Sequence, residues 1–255
     1  MVWFACYYDY SVGESFCLWN PATKEYKELP KPPDVDDTFG IWVSGFAYDK
    51  NRGDYNVINC YDSIVQVYSL ELNSWKIIEI SVSLTPQRTF GSLEAGVFFN
   101  EDFHWIHGDK VVVSLDLINE RINEIQLPRR FSNLDFDLYL MLAVLEGCLC
   151  LLKSHLLSVG VEVWVMQDYG VQKTWTKSFI INNESNGFMR RVWSSKKGEI
   201  LIEVDGDQVL YNHKFGTVRK QNNQSLIGTR TRGENYFESL VSLNAGTYVQ
   251  EKKHE

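Results

Sequence analysis

The chain has 255 residues, of which 44% are hydrophobic and 14% aromatic, and it carries a formal net charge of −8. This much apolar material supports a sizeable core, so the composition excludes an intrinsically disordered protein. The acidic balance excludes a nucleic-acid binder that grips the phosphate backbone with clustered Lys and Arg. We interpret one basic run without acidic residues as a solvated loop; it contains Lys214, Arg219, Lys220, Arg230 and Arg232.

The N-terminal segment MVWFACYYDYSVGE has no basic region, and Asp9 interrupts its apolar residues, so it is not a secretory signal. Cys148 and Cys150 are two residues apart and would share one face of a strand, as core thiols do. The five cysteines form no CxxC pair: Cys6, Cys17, Cys60, Cys148 and Cys150. Disulfide pairing stays open, but the sparse, odd count suits a reducing compartment. We therefore expect a cytoplasmic and/or nuclear protein.

A strand-rich segment recurs along the chain, beginning with FCLWNPATKEYKELP at residues 16–30. Later copies cover residues 65–78, 110–128, 161–179 and 208–220. Each copy opens with the alternating apolar residues of a half-buried strand and passes through a short polar connection, and most resume as a strand. Aligning the strand ends gives separations of 49, 45, 51 and 47 residues between Trp19, Tyr68, Val113, Trp164 and Tyr211.

Between the copies, further apolar runs flank residues that tolerate hairpin geometry. The predicted turns are Asn51-Arg52-Gly53, Asn100-Glu101-Asp102, Glu146-Gly147, Lys197-Gly198 and Asp205-Gly206. The longest apolar run, residues 138–152, contains one of these turns and is too short to cross a bilayer as a helix. Strand, turn and strand is the interpretation that fits it.

One period therefore holds about four antiparallel strands, which is typical of a β-propeller blade. A blade cannot bury both faces of its sheet alone, so we expect the recurrent aromatic residues to pack between neighbouring blades. The predicted fold is all-β, a kelch-like β-propeller of about five to six four-stranded blades. We expect a single domain over residues 1–250 and a disordered tail at 251–255.

The first blade is short of strand, because only eighteen residues precede Trp19. The strand-like segment YFESLVSL, residues 236–243, has no blade of its own. We predict that it completes the first blade and closes the ring, which would remove two exposed sheet edges. Deletion of residues 234–255 should then lower the melting temperature sharply.

Two clusters suggest metal binding and are better explained structurally. His104 and His107 are three apart, so on a strand they point to opposite faces and cannot share one ion without a bulge. Glu203, Asp205 and Asp207 resemble a calcium loop, but an EF-hand needs a longer series of ligands. We interpret Asp205-Gly206 as a two-residue hairpin turn.

Asp34, Asp36 and Asp37 lie in a proline-rich link between the first two blades, which we interpret as a solvated loop. A contact with a partner stays open there, because propeller loops bind partners. The sequence contains none of the patterns GxSxG, HExxH, GxxxxGK[ST] or GxGxxG. We therefore predict no catalytic residue, no metal and no cofactor, and we assign no individual protein-binding residue.

Nine segments in chain order resemble the F-box-associated domain of plant F-box proteins, including the F-box/kelch-type and S-locus F-box groups. They are LWNPATKEYKELP, GFAYDKNRGDY, VYSLELNSWKII, VFFNEDFHWIHG, VVVSLDLINERINEIQLP, LAVLEGCLCLL, VEVWVMQDYGVQKTWTKSF, GEILIEVDGDQVLYNHK and YFESLVSL. The resemblance covers about residues 2–249. At Tyr211-Asn212-His213 the chain departs from the Asp-Pro-like turn more usual in the family.

The resemblance implies a non-catalytic propeller whose loops bind target proteins and present them for ubiquitination by a Skp1–cullin–F-box ligase. The F-box itself is missing, so we expect a Skp1-type adaptor as a partner only where an F-box is supplied upstream. Neither nucleic acid nor a membrane is an expected partner. Two alternatives stay open: a carbohydrate-active propeller enzyme with paired carboxylates near its axis, and a truncated, non-functional remnant whose ring cannot close.

Overall fold

Short strands joined by tight turns make up nearly all of the chain that the structure describes. This computed structural model describes residues 3–9, 13–33, 43–49, 52–61, 64–79, 94–107, 111–131, 138–155, 160–181, 189–194, 199–204, 207–212, 215–221 and 242–243. Within these ranges there is no α-helix, and two 3₁₀ turns lie at Arg129–Phe131 and Gln172–Thr174. No helix found there is long and apolar enough to cross a membrane.

The first half of the chain forms twelve strands. They are β1 (Trp3–Asp9), β2 (Gly13–Asn20), β3 (Glu25–Glu28), β4 (Val43–Asp49), β5 (Asp54–Tyr61), β6 (Ile64–Ser69), β7 (Ser74–Glu79), β8 (Glu94–Ala95), β9 (Val97–Phe99), β10 (Asp102–His107), β11 (Val111–Asp116) and β12 (Arg121–Gln126). The second half adds eight. They are β13 (Leu138–Leu145), β14 (Cys148–His155), β15 (Val161–Met166), β16 (Trp175–Ile181), β17 (Met189–Ser194), β18 (Glu199–Val204), β19 (Asp207–Asn212) and β20 (Thr217–Gln221).

These strands form five sheets, numbered here along the chain. Sheet 1 has the order β1-β2-β3, sheet 2 β7-β6-β5-β4-β8, sheet 3 β12-β11-β10-β9, sheet 4 β13-β14-β15-β16 and sheet 5 β17-β18-β19-β20. Sheets 3, 4 and 5 are four-stranded and made of strands consecutive in sequence, and sheet 2 is the same meander with β8 added in parallel to β4. The succession of four-stranded antiparallel sheets confirms the predicted all-β fold class.

The residues aligned from sequence fall on equivalent strands. Each lies on the strand next to the last of its sheet: Trp19 on β2, Tyr68 on β6, Val113 on β11, Trp164 on β15 and Tyr211 on β19. The recurrent segment is therefore a repeated piece of architecture. In sheets 3 and 4 the aligned residue lies before the end of its strand, because β11 continues for three residues beyond Val113 and β15 for two residues beyond Trp164.

The chain divides into two compact units. The first comprises residues 1–103, 116–121 and 234–255, and the second comprises residues 104–115 and 122–233. The single domain expected over residues 1–250 stays a prediction. Residues 251–255 lie outside the described part of the chain.

In the first unit, the apolar core joins sheets 1 and 2. Tyr68 of β6 is fully buried beside Val57 of β5, and both pack in one cluster with Phe16 and Leu18 of β2. The ring of Trp75, on β7, packs edge-on to Phe16 with their centroids 5.7 Å apart. The predicted packing of a recurrent aromatic between neighbouring sheets is thus confirmed for Tyr68.

In the second unit, the core joins sheets 4 and 5 in the same way. Tyr211 of β19 packs with Ile202 of β18 against Leu152 and Val163 of sheet 4. Its ring stacks on Phe179 of β16 at a centroid distance of 5.7 Å, and its hydroxyl donates to the carbonyl of Ile180 at 3.4 Å. Tyr211 therefore contributes both apolar contact and a directional bond to the neighbouring sheet.

The predicted hairpin turns that fall within the described residues are present. Gly53 has φ +69° and its N–H donates to the carbonyl of Asp49 at 2.8 Å. Asn100 and Glu101 have φ of +52° and +70°, and Glu146 and Gly147 of +50° and +77°, as two-residue hairpins require. The turns predicted at 197–198 and 205–206 lie outside the described residues, although the strands on either side of each pair antiparallel.

A second kind of turn recurs between the next-to-last and last strands. In four sheets the strand ends in a polar side chain that accepts a hydrogen bond from the N–H of the following turn: Asn20 from Ala22 (3.0 Å), Ser69 from Leu72 (3.0 Å), Asp116 from Ile118 (2.9 Å) and Asn212 from Phe215 (3.3 Å). Each turn closes on a residue with positive φ: Lys24, Asn73, Glu120 or Gly216. The turn at Asn212 therefore keeps the common hydrogen bond despite its departure from the family sequence.

Sheets 2 and 3 meet at an interlock of one aromatic ring and two glycines. Gly45 lies on β4, Gly96 separates β8 from β9, and Phe103 of β10 is fully buried between them. A Cβ at Gly45 would lie 2.1 Å from Cε2 of Phe103, and one at Gly96 would lie 2.1 Å from its Cζ. The N–H of Gly96 also donates to the carbonyl of Ser44 at 3.1 Å. Only glycine allows this close approach of backbone and ring.

The segment at residues 242–243 is attached to sheet 1. Leu243 is buried in the cluster that contains Tyr68, and its N–H donates to Glu25 Oε2 at 2.8 Å. Ser242 Oγ donates to Glu25 Oε1 at 2.9 Å. These bonds, the Leu243 N–H first and the Ser242 hydroxyl next, hold the pKa of Glu25 below its ordinary value. Residues 236–241, predicted to form the closing strand, lie outside the described residues.

We expect Gly45→Ala to lower the free energy of unfolding by at least about 2 kcal/mol, because the ring and both backbones around it are fixed by packing. Gly147→Ala is the control for backbone strain without a clash, because Gly147 has φ +77° and nothing lies within 4 Å of an added Cβ. This substitution should lower the free energy of unfolding by roughly 1 kcal/mol. Denaturant unfolding measures both. In a Phe103→Leu background the added Cβ no longer meets a ring, so an unchanged penalty for Gly45→Ala there would contradict the interlock.

We expect Glu25→Gln to change how stability depends on pH. The folded pKa of Glu25 lies below its ordinary value of 4.5, so its carboxylate contributes stability above that pH, which is lost as pH falls through the folded pKa. The variant should be less stable near neutrality and fall less steeply with acid. Unfolding curves from about pH 7 to about pH 3 measure this. Glu71→Gln, which removes an exposed charge from another turn, is the control; parallel curves for wild type and Glu25→Gln would refute the role.

Candidate protein-interaction loops

The connections of each sheet leave it at two opposite ends. In an antiparallel meander of four strands, the first-to-second and third-to-fourth connections lie at one end, and the second-to-third connection lies at the other. We call the connections between the next-to-last and last strands the outer turns. They are residues 21–24, 70–73, 117–120, 167–174 and 213–216 of sheets 1 to 5.

The outer turns of sheets 2 to 5 expose large apolar side chains. Their exposed fractions lie between 37% and 77%, for Leu72, Ile118, Tyr169, Val171 and Phe215. Scattered exposed apolar residues are normal on a protein surface. Here they recur in the same connection of successive sheets, where the backbone needs no apolar residue to make the turn. This recurrence marks the outer turns as candidate contact surfaces.

The outer turn of sheet 4 differs from the others in length. It has eight residues, Gln167–Thr174, where each of the other four has four. Its own hydrogen bonds hold it: the Thr174 hydroxyl oxygen accepts from the N–H of Asp168 at 3.1 Å and lies 2.8 Å from the carbonyl oxygen of Val171. The backbone N–H of Thr174 donates to that same carbonyl at 2.9 Å. The 167–174 loop is therefore an ordered structure.

Tyr169 fixes the tip of this loop to a buried histidine. Its hydroxyl lies 2.7 Å from Nε2 of His104 on β10, and the two rings are edge-on at a centroid distance of 5.6 Å. His104 is fully buried, whereas Tyr169 keeps over a third of its surface exposed. The tyrosine thus presents its ring at the surface while its polar end is held from beneath.

The base of the loop is tied to the end of β12. Gln172 Nε2 donates to the carbonyl of Leu127 at 2.8 Å, and Trp175 Nε1, at the start of β16, donates to the carbonyl of Gln126 at 3.1 Å. These bonds join the end of the last strand of sheet 3 to the loop and to the start of the last strand of sheet 4, within the second unit. With the tie at Tyr169, the loop is attached at its tip and at its base.

The structural role predicted for His104 and His107 stays a prediction. His104 bonds to Tyr169, and His107 is half-buried on the same strand. Among the side chains that the structure describes, no three His, Cys, Asp or Glu residues are grouped as a metal site. Glu203 is the next-to-last residue of β18 and Asp207 is the first residue of β19, while Asp205 lies outside the described residues.

The remaining candidates are placed only in part. Asp34, Asp36 and Asp37 lie outside the described residues, as do Lys214, Arg230 and Arg232 of the basic run. Arg219 lies on β20 and pairs with Glu199 at 2.7 Å, and Lys220 follows it on the same strand.

The cysteines with described side chains form no disulfide. Cys150 and Cys148 pack into the apolar cluster of sheets 4 and 5, which confirms that they share one face of β14. Burial raises the pKa of the Cys150 thiol to about 12, which favours its protonated form near neutral pH.

Sequence reasoning missed the 167–174 loop as a distinct feature. The signal was present as a spacing: eight residues separate the strand ending at Met166 from the strand beginning at Trp175. Alignment of the copies on their first strands did not use this spacing. The tie from Tyr169 to His104 joins residues 65 positions apart and has no local signature.

Comparison with known proteins places these features in a family. A family model described as the F-box associated beta propeller domain matches residues 5–243. In Arabidopsis thaliana, F-box protein CPR1 is 29% identical, over 79% of this chain and 58% of that protein. F-box/kelch-repeat protein At3g23880 is 25% identical, over 91% of this chain and 65% of that protein. The chain spans less than two thirds of the length of either relative.

A solved structure supports the fold. A protein from Lactobacillus plantarum aligns with a TM-score of 0.52 and 10% identity, over 86% of this chain and 65% of that chain, a likeness that concerns the fold alone. The family match extends from the first strand to the buried Leu243. The chain belongs to the family of F-box associated β-propeller domains, and the relatives it matches are plant F-box proteins.

Proposed function

We propose that this chain is the target-binding domain of an F-box receptor in a Skp1–cullin–F-box ubiquitin ligase. The observation on which this rests is the family match over residues 5–243, nearly the whole chain. In this proposal the chain binds a protein target, and an F-box joined to the domain binds the Skp1-type adaptor. The chain itself makes and breaks no bond. It acts in the cytoplasm and/or the nucleus.

The mechanism is positioning. Within each unit, successive sheets pack on one another, and the 167–174 loop is held by hydrogen bonds of its own and to neighbouring elements. A binding loop that is already ordered loses little conformational entropy when its partner arrives, so more of the contact energy appears as affinity. Affinity at protein interfaces is concentrated in a few anchors, among which tyrosine is enriched.

The 167–174 loop fits this role best among the described turns. It is twice as long as its equivalents and held at tip and base, and it exposes Tyr169, Val171 and the charged Lys173. A tyrosine whose hydroxyl is already bonded to His104 offers its ring as an apolar anchor. Within the same unit, Phe215 exposes a further apolar side chain in the outer turn of sheet 5.

We expect Tyr169→Phe to loosen the 167–174 loop while keeping its ring. Loss of the bond to His104 should lower the free energy of unfolding by about 1 kcal/mol and speed amide hydrogen exchange within the loop. Tyr48→Phe removes a hydroxyl from another partly exposed tyrosine, on β4, and should leave exchange in the loop unchanged. Unaltered exchange in Tyr169→Phe would show that the tie does not order the loop.

We expect a chimera with an F-box fused ahead of residue 1 to capture a Skp1-type adaptor, and the chain without an F-box to capture none. Proteins bound by both forms should be ubiquitinated in a reconstituted reaction only when the chimera is present. Affinity capture and ubiquitination assays measure this.

The matched control is the same chimera carrying Tyr169→Ala and Val171→Ala, which should keep the adaptor and lose the targets. Equal adaptor capture by the chain alone would contradict the division of roles. Target ubiquitination that is unchanged in the control would contradict the assignment to this loop.

A further inference from the structure

Two buried amide side chains face each other in sheet 2. Asn59 on β5 is 0% exposed, Gln66 on β6 is 1% exposed, and the strand register places them directly opposite. Opposite residues of antiparallel strands project from the same face with Cβ atoms roughly 4.5–5.5 Å apart. The two amides therefore share one enclosed environment.

Most of their hydrogen-bonding capacity is unused. Gln66 Nε2 donates to the carbonyl of Pro33 at 2.9 Å. Gln66 Oε1 and both Nδ2 and Oδ1 of Asn59 have no hydrogen-bond partner in the described structure. A buried polar group without a partner costs free energy comparable to a lost hydrogen bond, and native proteins almost always satisfy such groups. Three such atoms on two facing residues indicate a bound species between them.

The location explains why polar groups occur there. Two positions along the same face lie Val57 and Tyr68, which pack on sheet 1. The connector from β3 crosses this face: Trp75 Nε1 donates to the carbonyl of Pro30 at 2.7 Å, and Gln66 holds Pro33 three residues later. The amide pair therefore lies where the apolar interface gives way to connector backbone, whose carbonyls need donors.

We propose that Asn59 and Gln66 form a buried hydration site that holds at least one ordered water molecule. The water accepts a hydrogen bond from Asn59 Nδ2 and donates one to Gln66 Oε1. Its second hydrogen, or that of a neighbouring water, goes to Asn59 Oδ1. The water links β5 to β6 beneath the connector and stabilises the position of sheet 1 on sheet 2.

The chemistry of the site selects water over other ligands. The three atoms are neutral amide groups that offer both donors and acceptors, which suits water and gives an ion no compensating charge. Both side chains are almost completely buried, at 0% and 1% exposure, so they present almost no surface to a larger molecule. A buried water typically makes about three hydrogen bonds to such groups, and three are on offer.

A crystal structure of the full chain at about 1.5 Å or better tests the site, because ordered waters are then resolved. We expect a water peak within roughly 2.7–3.2 Å of Asn59 Nδ2 and Gln66 Oε1. In solution, the Asn59 side-chain amide protons should show an NOE to water. A direct Asn59–Gln66 hydrogen bond without a water, or a protein group in that position, would overturn the proposal.

Variants add a test that does not depend on crystals. Asn59→Leu removes two of the three atoms and leaves Gln66 Oε1 buried alone, so the melting temperature should fall by several degrees. Adding Gln66→Met removes that orphaned oxygen, so the double variant should lose less than the sum of the two single losses. The side-chain amide of Gln172, bonded to Leu127, serves as the NMR control and should not change. Strictly additive losses would overturn the bridge.

Discussion

Within each unit, the sheets of this protein are stabilised by the faces that they pack on one another. A three- or four-stranded meander has no interior of its own, so its stability depends on the side chains that its neighbours place on it. Tyr68 and Tyr211 show the consequence, because each is buried in a cluster drawn from two successive sheets. Phe103 shows the extreme case, since its ring fits only because the adjoining backbones carry no Cβ at Gly45 and Gly96.

Apolar packing alone does not fix the position of one sheet on the next. Hydrogen bonds at the last strands of the sheets supply that position. Trp75 and Trp175 both stand at the start of a last strand, and both indoles donate to a carbonyl at the end of the preceding sheet's last strand or just beyond it. An indole N–H has one direction, so this bond fixes position where hydrophobic contact would allow sliding. The exposed pair of Lys76 and Glu120 adds little energy by comparison.

How much was predictable depends on whether a feature is local. The period, the strand pairs and the turns at Glu146-Gly147 and Gly53 follow from alternation and turn chemistry within a few residues, and the structure confirms them. The fifth strand of sheet 2, β8, is two residues long and pairs in parallel with β4, about fifty positions earlier. The Tyr169–His104 tie and the Asn59–Gln66 pair likewise depend on which strands become neighbours.

The candidate site was the least predictable part, for a related reason. Four outer turns follow one geometry, in which a polar side chain at the strand end accepts the turn's N–H and a residue with positive φ closes it. This geometry restricts which residues can stand at the strand end and at the closing position, so the four turns differ mainly in the side chains that they expose. The 167–174 loop is four residues longer and does not follow this geometry. Hydrogen bonds of Thr174, Gln172 and Tyr169 fix its conformation instead. A binding surface needs variation in sequence and an ordered backbone. Among the described turns, only the 167–174 loop gains length while its backbone stays held by hydrogen bonds.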